Sequence, residues 1–254
     1  MTGASKGIGK AIARELASRG YDLLLVARTA SELERTAAEL KDSFPVKTAV
    51  LALDLSVPGS AQAILDYTRQ HHLPVSVLVN NAGYGLWGNF HELSLKEQNE
   101  MLQVNVLSLV DLCHLFVSEL RQHQPAYILN VASTTAYQAI PTLGLYAASK
   151  SLVVSFTRSL RYELKPLGIR VSCLSPGTTR TDFVQRGRME HMQKLSDKMA
   201  MEPEAVAKIA VKGLFRGQAE IIPGFSNRFS AALIPLLPKQ MIENIAAGIY
   251  KKKK

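Results

Sequence analysis

The feature that most constrains this chain is an alternation. Short runs rich in Val, Leu and Ile recur, each followed by a longer segment in which apolar residues return at helical spacing. Runs that are apolar at consecutive positions are buried on both faces, and a helix between successive runs is the crossover that parallel strands need. The predicted strands are Tyr21 to Ala27, Val46 to Leu53, Val75 to Asn80, Ala126 to Ala132, Ile169 to Ser175 and a weaker one, Glu220 to Pro223. Helices are predicted near 7–19, 29–41, 60–71, 94–123, 145–165 and 202–216. No fixed-period repeat or Pro/Gly/Ser-rich linker interrupts the series, so residues 1–254 read as a single α/β domain, a doubly wound parallel sheet.

Composition then narrows the function classes. With 47% hydrophobic and 20% charged residues, the chain has enough apolar material for one sizeable core, which excludes disordered, collagenous and low-complexity proteins. The net charge is +9, but Lys251 to Lys254 carry four of those charges, and the remaining 26 basic residues face 21 acidic ones. They are scattered among Glu and Asp on predicted helix surfaces, which does not make a nucleic-acid footprint; a small polyanionic ligand fits better. Cys113 and Cys173 are too few for a disulfide framework or a Cys-rich zinc site and point to a reducing compartment. No signal sequence is seen and no uninterrupted apolar run reaches the roughly 18 residues that span a bilayer, so the expected location is cytoplasmic. His71, His72, His91, His114, His123 and His191 show no metal-ligand spacing, and no metal is expected.

In such sheets ligands bind beyond the carboxyl ends of the strands, where strand order reverses. The chain opens Thr2-Gly3-Ala4-Ser5-Lys6-Gly7-Ile8-Gly9 and runs straight into a helical pattern, a turn whose backbone amides can approach a pyrophosphate at a helix N-terminus. Taken alone the glycine cluster also reads as a plain turn. About twenty residues on, at the end of the next strand, a dinucleotide site places the residue that reads the adenosine ribose. Here it is Arg28, not Asp or Glu. A guanidinium forks onto a 2′-phosphate that a carboxylate would repel, and Lys6 would add a second charge on the same side, so the expected cofactor is NADP(H). The competing reading of Arg28 is a solvated loop charge.

Tyr146 and Lys150, four residues apart, share one face of a predicted helix. An adjacent ammonium favours phenolate, which brings a tyrosine toward acid-base work at neutral pH. Such pairs are common on helix surfaces, and the context decides. Ser133 ends the strand Ala126 to Ala132, Asn80-Asn81-Ala82-Gly83 follows another, and Pro176-Gly177-Thr178-Thr179-Arg180-Thr181 a third. Together with the glycine turn, and in this order over residues 1 to about 183, these motifs resemble the short-chain dehydrogenase/reductase family.

The resemblance implies a Rossmann fold, carbonyl–alcohol chemistry by hydride transfer and a homodimer or homotetramer. By it Tyr146 is the acid-base group, Lys150 holds the nicotinamide ribose, Ser133 orients the substrate oxygen and Asn105 anchors a water linking Lys150 to solvent. Asp54 and Leu55 would contact the adenine ring, and Asn81, Ala82 and Gly83 would wall the adenosine ribose. Pro176, Gly177, Thr179 and Thr181 would belong to the loop that holds the carboxamide, and Gly3, Ser5, Lys6, Gly7, Ile8 and Gly9 to the phosphate turn. A buried Asn within a helix has poor propensity, so Asn105 also reads physically as a water or backbone partner. The expected reaction is interconversion of a ketone or aldehyde and an alcohol on an acyl, steroid or lipid-like substrate, with reduction as the direction. A sugar substrate, or a non-catalytic NADP(H)-binding sensor, is the alternative; intact Ser133, Tyr146 and Lys150 argue against the sensor.

Two regions depart from the pattern or say little. A glycine turn should follow a strand in the middle of the sheet, yet only Met1 precedes Thr2. The expectation is that this first strand is missing, that Met1 is internal to a longer chain or the start is set too late, and that apolar residues belong in front. Residues 183–201 are polar and read as a substrate lid. Residues 225–254 read as a C-terminal helical segment with a Lys tail, either a pocket or subunit-contact helix, the favoured reading, or a weak peripheral membrane contact. Tyr84, Leu86 and Trp87, and the stretch Ala139 to Leu143, are candidates for the substrate wall.

Overall fold

The protein's structure is a computed structural model, described for residues 1–183 and 200–250. Helix α1 (Gly7–Ala17) starts from the glycine turn, and β1 (Leu23–Ala27), α2 (Ala30–Ser43), β2 (Thr48–Ala52), α3 (Ser60–Gln70) and β3 (Val77–Asn80) follow in alternation. Next come α4 (Leu95–Leu102), a π-helical turn (Gln103–Leu107), α5 (Ser108–Leu115) and α6 (Val117–Gln122). The chain continues through β4 (Ala126–Val131), a 3₁₀ turn (Thr134–Tyr137), α7 (Gly144–Leu164), β5 (Ile169–Leu174), α8 (Pro203–Phe215), β6 (Glu220–Ile221), α9 (Phe225–Leu233) and α10 (Lys239–Tyr250).

All strand pairs are parallel, in a two-stranded part β1-β2 and a four-stranded part β3-β4-β5-β6. Met1 and Thr2 lie where the sequence predicts a gap in the sheet. The Val26 amide donates to the Met1 carbonyl at 2.9 Å and the Thr2 amide donates to the Val79 carbonyl at 2.9 Å, so two residues join β1 to β3. Strand order reverses across this junction, which puts the glycine turn and the end of β3 at the switch point.

Apolar side chains of α1, α2 and α8, such as Ile12, Leu16, Leu33, Val211 and Leu214, bury one face of the sheet. Those of α3, α5 and α7, such as Ile64, Leu112, Val153 and Leu164, bury the other. Every residue of β4 is buried, as a central strand covered on both sides requires.

The predicted single helix 94–123 is broken by the π turn. Met101, Asn105, Leu109 and Cys113 recur at intervals of four and are all buried. An unbroken α-helix drifts about 40° per such step, and the widened turn absorbs part of that drift. By length and composition Leu95–Gln122 does pass as a membrane span, contrary to the sequence reading. In the fold it is a core helix, with Leu109, Leu112, Phe116 and Leu120 packed beneath the sheet.

Candidate active site

The glycine turn is built by close backbone approach. A Cβ on Gly9 would fall 2.0 Å from the Gly3 carbonyl oxygen, so only glycine lets α1 start this near the turn. Lys6 precedes α1 without a side-chain cap, which leaves first-turn amides open to an anion. The turn is then fastened to the end of β3. The Asn81 side chain donates to the carbonyls of Thr2 at 3.2 Å and Gly3 at 3.0 Å, while the Asn81 and Ala82 amides both donate to Thr2 Oγ1 at 3.1 Å. Neither Thr2 nor the fastening role of Asn81 was visible in the sequence; a hydroxyl residue leading into the turn is the one hint it held.

A cleft of about 750 Å³ runs along the carboxyl ends of the strands. Every predicted catalytic and cofactor-contact residue lines it except Asn105: the phosphate turn, Arg28, Asp54, Leu55, Asn81 to Gly83, Ser133, Tyr146, Lys150 and Pro176, Gly177, Thr179 and Thr181, whereas of the predicted substrate wall only Tyr84 and Leu143 do. Asp54 accepts from the Ser56 amide at 2.9 Å, which shapes the turn after β2.

Lys150 is buried on α7, and its Nζ donates to the Val131 carbonyl at 2.9 Å. Burial lowers its pKa from 10.5 to about 8. The same Nζ sits 5.8 Å from the centre of the Tyr146 ring, whose other neighbours include Phe183, with ring centres 5.4 Å apart. Ser133 caps the 3₁₀ turn, where its Oγ accepts from the Thr135 amide at 3.2 Å and its hydroxyl proton is left to donate.

Asn105 lies just behind this group. Its side chain makes the backbone partnership that a buried Asn within a helix suggests: Nδ2 donates to the Tyr84 carbonyl at 2.9 Å and to Ser149 Oγ at 3.3 Å, and Oδ1 accepts from the Tyr84 amide at 3.1 Å. Gly83 passes so close that a Cβ would sit 3.0 Å from Asn105 Oδ1 and 3.2 Å from Lys150 Nζ. Ser149 and the π turn under Asn105 were not foreseen, since both depend on which faces meet in the fold.

The electrostatics at the adenosine end differ from expectation in one respect. Lys6 is already paired, with Glu32 at 2.7 Å and Asp182 at 3.5 Å, and Glu32 raises its pKa while its own is lowered by Lys6. Its charge is therefore shared with two carboxylates that the sequence reading did not consider. Arg28 is exposed on the cleft wall with no side-chain partner among the described residues.

On the substrate side, Leu86, Met101, Ile140, Leu143, Tyr146 and Ala147 form an apolar cluster, joined by Tyr84, Trp87 and Phe183. Of these, Tyr84, Leu143, Tyr146 and Phe183 line the cleft. The expected lid lies almost wholly outside the described residues, between 183 and 200. A second network, also unforeseen, stands behind Ser133. The Tyr137 hydroxyl bonds to Glu220 and, at 3.0 Å, to Ser175 Oγ, tying the 3₁₀ turn to the start of the Pro176 loop.

Comparison with known proteins agrees with this geometry. The chain matches the short chain dehydrogenase family over residues 1–192. The very-long-chain 3-oxoacyl-CoA reductase of Anas platyrhynchos is 30% identical over 252 residues, 96% of this chain and 77% of that protein. A short-chain dehydrogenase from Sphingobium yanoikuyae, solved in complex with NADPH, superposes with a TM-score of 0.82 at 29% identity over 91% of this chain and 90% of that one. A short chain dehydrogenase/reductase from Burkholderia phymatum in complex with NAD gives 0.85 at 25% identity, over 92% and 90%. The cleft, the glycine turn and these matches make one conclusion: the chain belongs to the short-chain dehydrogenase/reductase family of oxidoreductases.

Proposed function

We propose that this protein is an NADP(H)-dependent oxidoreductase that interconverts a ketone or aldehyde and its alcohol, on an acyl, steroid or lipid-like substrate. The observation that carries the reading is the buried Lys150 amine, held by the Val131 carbonyl beside the Tyr146 ring in a cleft that Ser133 also lines. The chain fits the cofactor: the Gly3–Gly9 contact leaves a cradle that a Cβ would fill, and the open N-terminus of α1 suits a pyrophosphate.

When bound, NADP(H) supplies the hydride chemistry at the carbonyl carbon. The chain supplies the proton and the orientation. Tyr146 gives its hydroxyl proton to the carbonyl oxygen in reduction, or takes one from the alcohol in oxidation. A charged Lys150 favours the phenolate that this exchange requires, and the Ser133 hydroxyl holds the reacting oxygen.

The unpaired guanidinium of Arg28 supports NADP(H), as does the NADPH complex of the Sphingobium relative; the NAD complex of the Burkholderia protein pulls the other way. The apolar cluster around Leu143 and Phe183 supports a hydrophobic substrate, and the reductase from Anas carries an acyl substrate in its name. Reduction in a cytoplasmic setting belongs to the same reading, as does a homodimer or homotetramer through the long helices, whose Leu107, Leu152 and Tyr162 are exposed. Tyr146→Phe is expected to abolish turnover while NADPH fluorescence still reports binding. A variant that keeps most of its kcat would remove Tyr146 from the acid-base role, whereas wild type that binds NADPH and turns over no carbonyl would favour the sensor.

A further inference from the structure

We propose that α9 and α10 form a docking surface for an anionic lipid bilayer. Helix α9 carries Phe225, Phe229 and Leu233 at intervals of four, one stripe along the helix, and Phe225 and Phe229 are 84% and 60% exposed. The opposite side of α9 is the seated one, where Ala231 is buried. Leu236, in the short turn that follows, is 80% exposed. Helix α10 repeats the arrangement, with Ile242 and Ala246 buried and Met241 and Ile245 exposed. Isolated apolar residues on a surface need no explanation, but two successive helices that seat small or aliphatic residues and turn their large ones outward do.

The surface does not belong to the cleft: among the described residues none after Phe183 lines it, and α9 and α10 turn these side chains elsewhere. Charge selects the occupant. From residue 225 to the last residue the sequence holds Arg228, Lys239 and Lys251 to Lys254 against the single carboxylate of Glu243. A second copy meeting this face about a two-fold axis would set these cations against themselves, whereas anionic headgroups neutralise them while the acyl boundary receives the phenylalanines.

The surface also reaches the active site. Asn227, on α9, donates to the Pro223 carbonyl at 2.8 Å and packs on the Pro176–Thr181 loop so tightly that a Cβ on Gly177 would lie 2.5 Å from its side chain. A bilayer against α9 therefore lies one helix away from a wall of the cleft, a short path for an apolar substrate.

The test is co-sedimentation of the full chain with vesicles of phosphatidylcholine alone or mixed with phosphatidylglycerol, at low and high salt. Wild type is expected to favour the anionic vesicles by at least about tenfold and to lose that preference in high salt. The double variant Phe229→Glu/Leu236→Glu should lose about tenfold in binding, and removal of Lys251 to Lys254 a similar factor on anionic vesicles only. Arg228→Glu/Lys239→Glu provides a second reading should the first variant fold poorly, and thermal melting checks each. Absence of binding by wild type, equal binding to both vesicle types, or binding unchanged in both double variants would overturn the proposal. So would a dimer in light scattering that Phe229→Glu/Leu236→Glu dissolves, since the occupant would then be a second copy. Neither cofactor nor substrate enters this measurement, so its failure leaves the reductase reading untouched.

Discussion

Asn105 holds Tyr84 by both of its backbone groups. Its Nδ2 donates to the Tyr84 carbonyl and its Oδ1 accepts from the Tyr84 amide, the pair of bonds a neighbouring strand would otherwise provide. The segment leaving β3 is thereby pinned to the π turn, and Gly83 is pressed against Lys150.

Asn105→Ala is expected to destabilise the protein by roughly 2 to 4 kcal/mol, because it removes both side-chain bonds to the half-buried Tyr84 backbone. Asn105→Asp should cost at least as much, since it sets a buried carboxylate oxygen against the Tyr84 carbonyl where Nδ2 donated. Urea denaturation of both variants gives the comparison, and kcat should fall in both as Tyr84 and Gly83 drift from Lys150. Unchanged midpoints would show that water replaces the side chain at no cost.

Lys150 predicts a pH dependence. Burial lowers its pKa to about 8 from an ordinary 10.5. Between these values the unfolded chain binds more protons at this site than the folded one, so the contribution of Lys150 to stability improves as pH rises from 8 to 10.5. Below pH 8 the penalty for keeping the amine charged is present in full. Turnover should move the opposite way, declining above about pH 8 as the charge beside Tyr146 is lost. Melting temperatures and kcat across this range, for wild type and for the stability of Lys150→Met, test both limbs. Parallel melting curves would show that the amine is not titrating there.

Cofactor choice should respond unequally to the two cations at the adenosine end. Arg28→Ser is expected to lower kcat/KM for NADPH by roughly ten- to a hundredfold and to leave NADH nearly unchanged, the effect of losing charge-assisted bonds to a phosphate. Lys6→Ala should do less, because Glu32 and Asp182 already neutralise that charge, and Glu32→Gln should raise the preference for NADPH by releasing it. Steady-state kinetics with both cofactors read all three variants. Equal losses for NADPH and NADH in Arg28→Ser would remove Arg28 from the phosphate.

What the sequence made legible is what depends on neighbours in the chain. Strand and helix positions followed from apolar periodicity, and the cleft could be assembled because the glycine turn, Arg28, Ser133 and Tyr146 each sit where a strand ends or a helix begins. What stayed hidden depends on which surfaces meet. Thr2 and Asn81 are 79 residues apart, and nothing local says that one fastens the other. Lys6 looked free because Glu32 and Asp182 reach it from two other segments. The break at Gln103–Leu107 escaped notice because a π turn leaves the apolar spacing close enough to regular to pass as one helix.

That turn has a consequence for how this chain can change length. A π turn is an α turn with one extra residue folded into it, so Gln103–Leu107 carries an insertion that the helix has swallowed without a loop. Deleting a single residue there would return a plain α-helix and leave α4 and α5 nearly in register, because the widened turn winds about the same angle as an α turn with one residue fewer. Met101, outside the turn, would keep its place in the apolar cluster that it shares with Tyr146, but Asn105, inside it, would be drawn away from Tyr84. Among homologous chains, a one-residue gap aligned to this stretch would therefore mark the loss of the pinned segment beside the active site, even where every other motif is intact.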